Sequence, residues 1–414
     1  MLWTDKANRY LLKYWNISKL KDKQIEVINE LLSHNDVIGL LPTGYGKSMC
    51  YLIPPLVTKK VMFIISPLIS LMDEQKNKLL EIGISCSALH CNNTNRGNEI
   101  SDILAGHIKI VYMSPEYLIT NGIELASKLI ENNKLGFLAI DESHCISSWG
   151  SDFRPEYIQI KLFRIKFPDI PIIAVTATAT KTVCKDIVSL LNLNNPVIIQ
   201  ASFDRPNLYL NVIELPTKDI IVKKKIKQIN IDKDVIILDY INKYPNNKII
   251  IYINSREETE DVAQNLNLLK PNICSAYHAG FSKEKRNEIQ TNFSNGTTKI
   301  IISTIAFGMG IDQIVKCVII FGCPSSIEEY YQQIGRGGRD GLECETILYF
   351  DKCKYNKIFH SIKNDKTKIR NLKNLKKVYD YFLLNTCKRK YVLEYFGEEC
   401  NFNSCGNCNN CKKN

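Results

Sequence analysis

Lys47 and Ser48 close the run Leu41-Pro42-Thr43-Gly44-Tyr45-Gly46-Lys47-Ser48, and Asp141 and Glu142 open a second, Asp141-Glu142-Ser143-His144. The first run follows the apolar stretch Asp36–Leu41 and is predicted to open a helix. A loop in that place, with glycines where the backbone must turn, can direct its N–H groups onto phosphates. Pro42, Thr43, Gly44, Tyr45 and Gly46 would form this cradle. Lys47 would reach the β- and γ-phosphates, and the Ser48 hydroxyl would ligate Mg²⁺. The second run ends the apolar stretch Leu135–Ile140, where Asp141 can hold the metal and Glu142 can activate a water. The Gly-x-x-x-x-Gly-Lys-Ser/Thr pattern fails at its first position, which is Leu41 here. The two runs together, in this order and each at a strand end, point to nucleotide hydrolysis.

The elements that must position these groups recur along the chain as short β-branched runs. In the first half they are Val37–Leu41, Val61–Ile65, Ile108–Met113, Phe137–Ile140 and Pro171–Val175. In the second they are Ile249–Ile253, Cys274–Tyr277, Lys299–Ile302, Val318–Phe321 and Thr346–Phe350. Continuous apolar runs separated by helical patterns predict parallel strands covered on both faces. Two such sets predict two α/β domains, with the junction near Ser202-Phe203-Asp204-Arg205-Pro206 because Pro206 interrupts regular structure. Polar motifs follow the strand ends in both halves: Ser66-Pro67, Ser114-Pro115, Thr176-Ala177-Thr178, Asn254-Ser255, His278-Ala279 and Ser303-Thr304. Open α/β sheets bind ligands outside the carboxyl ends of their strands. Two such edges turned towards one cleft would make a motor.

The 414 residues are 45% hydrophobic and 23% charged, an ordinary globular composition. No apolar run approaches the roughly 20 residues that span a bilayer, and Met1–Lys13 has no signal-peptide core. An intracellular protein is expected, not a membrane one, with its fifteen cysteines mostly reduced. Cys50, Cys184, Cys274 and Cys317 lie in apolar segments and read as small core residues. The net charge of +11 is concentrated at the end of the chain. Residues 352–414 hold fifteen Lys and Arg against five Asp and Glu. That suits a polyanion such as nucleic acid, or a solvated Lys-rich face. Lys223–Lys227 reads as a polar, exposed stretch.

Seven blocks carry a resemblance: Leu41–Tyr51, Ser66–Gln75, Asp141–Tyr157 (DESHCISSWGSDFRPEY), Thr176–Thr178, Ser202–Asn207 (SFDRPN), Ala306–Asp312 (AFGMGID) and Tyr330–Gly341 (YYQQIGRGGRDG). Over nearly its whole length the chain resembles the RecQ-type DNA helicases of superfamily 2. The resemblance implies two RecA-like parallel-sheet domains in tandem, residues 1–204 and 205–350, followed by a small basic helical zinc-binding domain, residues 351–414. It implies an ATP- and Mg²⁺-dependent 3′-to-5′ helicase acting on single-stranded and partly duplex DNA.

Roles carry over residue by residue. Leu20-Lys21-Asp22-Lys23-Gln24 occupies the adenine-recognition motif. Gln24 would meet the base with its amide, unless it is only a polar position on an amphipathic helix. Lys21 stands where the family usually has an Arg lying on the base, and Asp22-Lys23 replaces a usual Pro-Gly. Lysine lacks the planar stacking surface of arginine, so looser adenine selectivity is expected. Arg336 and Arg339 would stabilise charge on the transferring phosphoryl group, with Arg339 as the finger. Gly337 replaces a more usual Ala, a change expected to be tolerated. The family's coupling element is the aromatic-rich loop after His144, here Cys145–Arg154. Trp149 would stack on a base or pack in the core, and the same alternative stands for Phe153. His144 and Arg154 would link this loop to the hydrolytic site.

Cys405-Gly406-Asn407-Cys408-Asn409-Asn410-Cys411 offers three thiolates and Cys387 a fourth, with Cys400 as the alternative to Cys387. Four Cys close a tetrahedral structural Zn²⁺ site without an open position, and the family places its zinc ligands in the same arrangement. Because the sequence stops three residues after Cys411, no winged-helix domain is expected to supply a strand-separating wedge. Two rivals stand beside the helicase reading. One is a DEAH-type RNA helicase, since Asp141-Glu142-x-His144 is shared. The other is an ATP-gated DNA-binding or annealing module with weak unwinding. Oligomeric state and compartment are not legible.

Overall fold

The computed structural model describes residues 2–91, 96–147, 153–222, 225–230, 232–308, 313–362 and 368–412, with backbone alone for 96, 217–222 and 225–230. They form two compact units, Met1–Phe203 and Asp204–Asn414.

The first unit is built on seven strands: β1 (Val37–Leu40), β2 (Val61–Ile65), β3 (Cys86–Leu89), β4 (Ile110–Met113), β5 (Leu135–Ile140), β6 (Ile172–Thr176) and β7 (Val197–Gln200). Their order across the sheet is β3-β4-β2-β5-β6-β1-β7, and every pair is parallel. The central strands β1, β2, β4 and β6 are buried along their whole length, as strands covered on both faces must be. Helices Asp22–Leu32, Met49–Thr58 and Ile69–Glu81 bring Val27, Leu31, Cys50, Met72 and Leu79 onto Val37, Met62, Ile64, Ile110 and Val175. Cys50 and Cys184 are buried here, and burial pushes the Cys50 thiol up to about 12. They are core residues.

The second unit repeats the plan with β8 (Leu208–Glu214), β11 (Ile249–Ile253), β12 (Cys274–Tyr277), β13 (Ile300–Ser303), β14 (Cys317–Gly322) and β15 (Cys344–Phe350), all parallel, in the order β12-β13-β11-β14-β15-β8. Between β8 and β11, strands β9 (Thr217–Val222) and β10 (Lys225–Asn230) pair antiparallel as a separate hairpin. The two parallel sheets, and the helical cysteine-bearing segment that follows, have the expected architecture. Strands β3, β7 and β8 lie outside the ten runs read from the sequence. β3 contains small and polar residues, β7 is an edge strand half open to solvent, and β8 alternates buried with half-buried positions.

The C-terminal segment packs onto this second sheet. Helices Lys352–Ser361, Lys368–Leu383 and Lys388–Tyr395 follow β15. Phe382 stacks on Phe350 at 4.4 Å, and Tyr381 meets Tyr330 of helix Ile327–Ile334 at 5.2 Å. The otherwise open edge of β8 is covered by the cysteine loop: Leu210 N donates to Asn407 O (3.3 Å) and Asn409 Nδ2 to Val212 O (3.1 Å). Capping an edge strand in this way removes an unpaired row of backbone groups. Among the described residues, no helix is long and apolar enough to cross a membrane.

Candidate functional site

Residues 41–48 leave β1 through two left-handed glycines, Gly44 (φ +83°) and Gly46 (φ +91°), conformations that L side chains rarely adopt. A Cβ on Gly46 would stand 2.6 Å from Gln24 Nε2. That amide, itself buried, donates to Tyr45 O (3.1 Å) and Gly46 O (2.9 Å), while its Oε1 accepts from Lys21 N (2.8 Å). Gln24 is thus joined to the loop rather than idle on a helix face. Lys21 lays its ammonium over the Tyr45 ring, 4.7 Å from the centroid, and reaches Gly44 O at 3.4 Å. Pro42 accepts from Tyr45 N at 3.0 Å, which closes the first turn. Thr43, Lys47 and Ser48 are half-buried along the loop.

Asp141 follows β5, separated from β1 in the sheet only by β6. Burial first, then the adjacent Glu142 carboxylate, push its carboxyl up, and the Lys47 ammonium pulls it down, leaving it near 7. Such a buried acid with an oxygen donor nearby fits a hard divalent cation, whose charge would restore the carboxylate. Tyr51 donates to Asp141 Oδ2 (3.4 Å) and Tyr157 to its backbone oxygen (3.2 Å). Sequence reasoning gave neither tyrosine a role, since each looks like a core aromatic in its helix.

Glu142 takes φ +47°, in the left-handed region, which costs a non-glycine residue about 1–3 kcal/mol and is typical of functional turns. The turn opens the short helix Ser143–Ile146 and brings Glu142 Oε2 to 3.3 Å from His144 Nδ1. The same nitrogen lies 2.8 Å from Thr176 Oγ1 at the end of β6. Thr176 Oγ1 in turn faces Thr178, accepting from its N and donating to its carbonyl, both at 3.3 Å. The ends of β5 and β6 are therefore joined through His144. Arg154 closes the loop that follows: its N donates to Cys145 O (2.8 Å) and its Nη1 to Pro67 O (2.6 Å), at the end of β2. Phe153 is half-buried beside it. Trp149 lies outside the described residues.

In the second unit, helix Ile327–Ile334 runs into the loop bearing Arg336 and Arg339. Arg336 lies against Gly308, where a Cβ would stand 3.3 Å from its Nη2. Burial pushes the Tyr252 hydroxyl up while the charges of Arg336 and Arg339 pull it down, and it donates to Phe307 O (2.8 Å). The loop is held from Ser202–Asn207, a block to which sequence reading gave no part beyond the junction. Arg205 Nη2 donates to Gly337 O (2.9 Å) and Gly338 O (2.8 Å), and Asn207 Nδ2 to Gly338 O (2.8 Å) and Leu342 O (2.9 Å).

Cys387, Cys405, Cys408 and Cys411 gather with all their Sγ atoms within 4.8 Å of one another. Cys405 and Cys411 Sγ are 4.0 Å apart, close to the edge of a tetrahedron with zinc–sulfur bonds of about 2.3 Å. The donor set fits Zn²⁺. Cys400 is not in this group, and its Sγ contacts Glu398 O at 3.9 Å.

Family models match three successive stretches: DEAD/DEAH box helicase over 21–187, helicase conserved C-terminal domain over 232–341, and RecQ zinc-binding over 349–412. A putative ATP-dependent RNA helicase, R290, of Acanthamoeba polyphaga mimivirus is 40% identical over 98% of this chain and 72% of its own. The ATP-dependent DNA helicase RecQ of Haemophilus influenzae is 37% identical over 94% of this chain and 60% of its own. The yeast (Saccharomyces cerevisiae) ATP-dependent helicase SGS1 is 35% identical over 99% of this chain but only 28% of its own. Apart from the viral relative, the chain thus spans less than two thirds of these proteins. The DUF1998 helicase MrfA bound to DNA has the same fold, with a TM-score of 0.69 over 92% of this chain and 51% of its own, at 16% identity.

Proposed function

As the chain belongs to the RecQ family of superfamily 2 helicases, we propose that it couples ATP hydrolysis to 3′-to-5′ movement on single-stranded DNA and to duplex unwinding. The observation that carries this reading is His144, hydrogen-bonded to Thr176 and facing Glu142 one turn after the Asp141 carboxyl. A contact made on that loop can alter the geometry of the acid that would activate water.

In this reading residues 42–48 cradle the phosphates, Lys47 neutralises the β- and γ-oxygens, and Gln24 with Lys21 faces the adenine. Ser48 and Asp141 would hold Mg²⁺, which draws charge from the phosphates. Glu142 orients and deprotonates the attacking water. Arg339, assisted by Arg336, is brought to the γ-phosphate when domains 1–204 and 205–350 close; an arginine finger contributes about 10³–10⁵ in rate. Phe153, Arg154 and Trp149 meet the DNA strand, where aromatic stacking is worth about 1–3 kcal/mol per base. Segment 351–414 binds one structural Zn²⁺ and offers its basic face to the phosphate backbone.

One observation favours a second reading, since the viral relative bears the name of an RNA helicase. The experiment compares ATPase stimulation by single-stranded DNA, duplex DNA and RNA, together with displacement of a strand from duplexes with 3′ or 5′ tails. Stimulation by single-stranded DNA and ATP-dependent displacement on the 3′-tailed duplex are expected. Preferential stimulation by RNA would transfer the activity to the RNA class. DNA binding gated by ATP without displacement would leave an annealing module.

A further inference from the structure

The segment Asp204–Leu208 is threaded between the cysteine cluster and the loop that carries Arg336 and Arg339. On the cluster side stands Arg389, in the first turn of the helix that Cys387 caps by accepting from Lys390 N (3.4 Å). Its Nη1 donates to Asp204 Oδ1 (2.8 Å) and Arg205 O (2.6 Å), its Nη2 to Leu208 O (2.5 Å). Asn407, between Cys405 and Cys408, donates Nδ2 to Pro206 O (2.8 Å) and its backbone N to Cys405 Sγ (3.4 Å). On the loop side, Arg205 and Asn207 grip the carbonyls of Gly337, Gly338 and Leu342.

Arg389 is only 5% exposed. A buried guanidinium is retained only if its fixed fork of donors is satisfied. Here the acceptors are the Asp204 carboxylate and the Arg205 and Leu208 carbonyls of this segment, with Asn407 O of the cysteine loop at 3.5 Å. Gly338 lies at φ +56°, with Asn207 Nδ2 standing 2.4 Å from where a Cβ would be, so the loop follows the segment closely.

We propose that Arg389 and Arg205 are positioning residues for the arginine loop, so that ATP turnover depends on the four-cysteine cluster directly and not only through DNA binding. The proposal rests on the reading of Arg339 as the finger. Displacing the cluster moves residues 204–208, and these move Gly337 and Gly338, between the two arginines. A misplacement of about 1 Å at a reacting geometry can cost on the order of 10²-fold.

The test uses the full chain without DNA. Arg389→Met is expected to lower kcat for ATP by about 10²-fold while KM for ATP and a zinc content of one per chain are kept. Hydrogen exchange of amides 336–342 is expected to accelerate, with exchange in residues 2–91 unchanged. Arg389→Lys should recover part of kcat. If Arg389→Met does not fold, Arg205→Met, which leaves the cluster's own bonds intact, must show the same pattern. Normal kcat in zinc-loaded Arg389→Met or Arg205→Met overturns the proposal, as does a lower kcat with unchanged exchange at 336–342. Arg339→Ala separates the two readings: normal turnover there removes the finger itself, whereas loss there with normal Arg389→Met and Arg205→Met removes only the relay.

Discussion

Gly337 lies so close to Cys344 that a Cβ on the glycine would stand 2.3 Å from the Cys344 Sγ. The thiol at the start of β15 fills the space that an alanine at 337 would need, and burial pushes it up to about 12, so it stays a neutral packing group. Glycine at 337 leaves room for that thiol.

Gly337→Ala should therefore overpack the second unit and lower its stability by about 1–3 kcal/mol. Combining it with Cys344→Ala should restore most of the loss. Thermal unfolding of the four proteins of this cycle checks the coupling; a single variant that melts like the parent would show that Cys344 can rotate away.

Lys47→Ala should abolish ATP hydrolysis and leave DNA binding largely intact, because the half-buried ammonium, whose charge acts on Asp141, is proposed to serve the phosphates. Glu142→Gln should keep ATP binding and lose turnover by about 10²–10⁴, the usual contribution of a general base. Nucleotide binding followed beside phosphate release separates the two. Loss of ATP binding in Glu142→Gln would make that residue structural.

Thr176→Val removes the acceptor–donor that faces His144 Nδ1 at 2.8 Å while conserving volume. Basal turnover should persist, and its stimulation by single-stranded DNA should fall. Trp149→Ala should give the same separation from the DNA side. Full stimulation in Thr176→Val would cut the connection between the loop and the hydrolytic site.

Cys408→Ser should lose the metal, lower solubility and weaken DNA binding. Apparent binding energies for structural zinc run to about 10–16 kcal/mol, far above what a segment of this size gains from its own burial. Elemental analysis of the parent should find close to one zinc per chain, and a much lower content in protein never exposed to chelator would refute the site.

Ten of the strands were legible because most of them are apolar runs, and such runs report burial without reference to any partner, although β12 includes Ser275 and is half-buried at its middle. The chemistry proposed for Lys47, Ser48, Asp141 and Glu142 rests on residue type, and their placing after strand ends was legible in the same way. The strand ending the stretch Lys223–Lys227 was not, since that stretch reads as polar surface although β10 starts at Lys225. Its pairing with β9 depends on a neighbour and not on an apolar period.

What the sequence by itself determined, then, is the set of local signals: where strands run, where the chain must turn on Gly44 and Gly46, and which side chains can carry phosphate, metal and proton chemistry. Each is a property of a few consecutive residues. Only the tertiary structure decided which distant groups meet. Gln24 joins the carbonyls of Tyr45 and Gly46 across more than twenty residues, and Arg389 reaches Asp204 across 185. Cys387 rather than Cys400 completes the cluster, although Cys400 is nearer in sequence, because the first turn of helix Lys388–Tyr395 presents Cys387 to the loop that covers β8. Hydrogen bonds and thiolate clusters act over about 3–4 Å of space, and the path of the backbone, not the separation along it, fixes which groups come within that range.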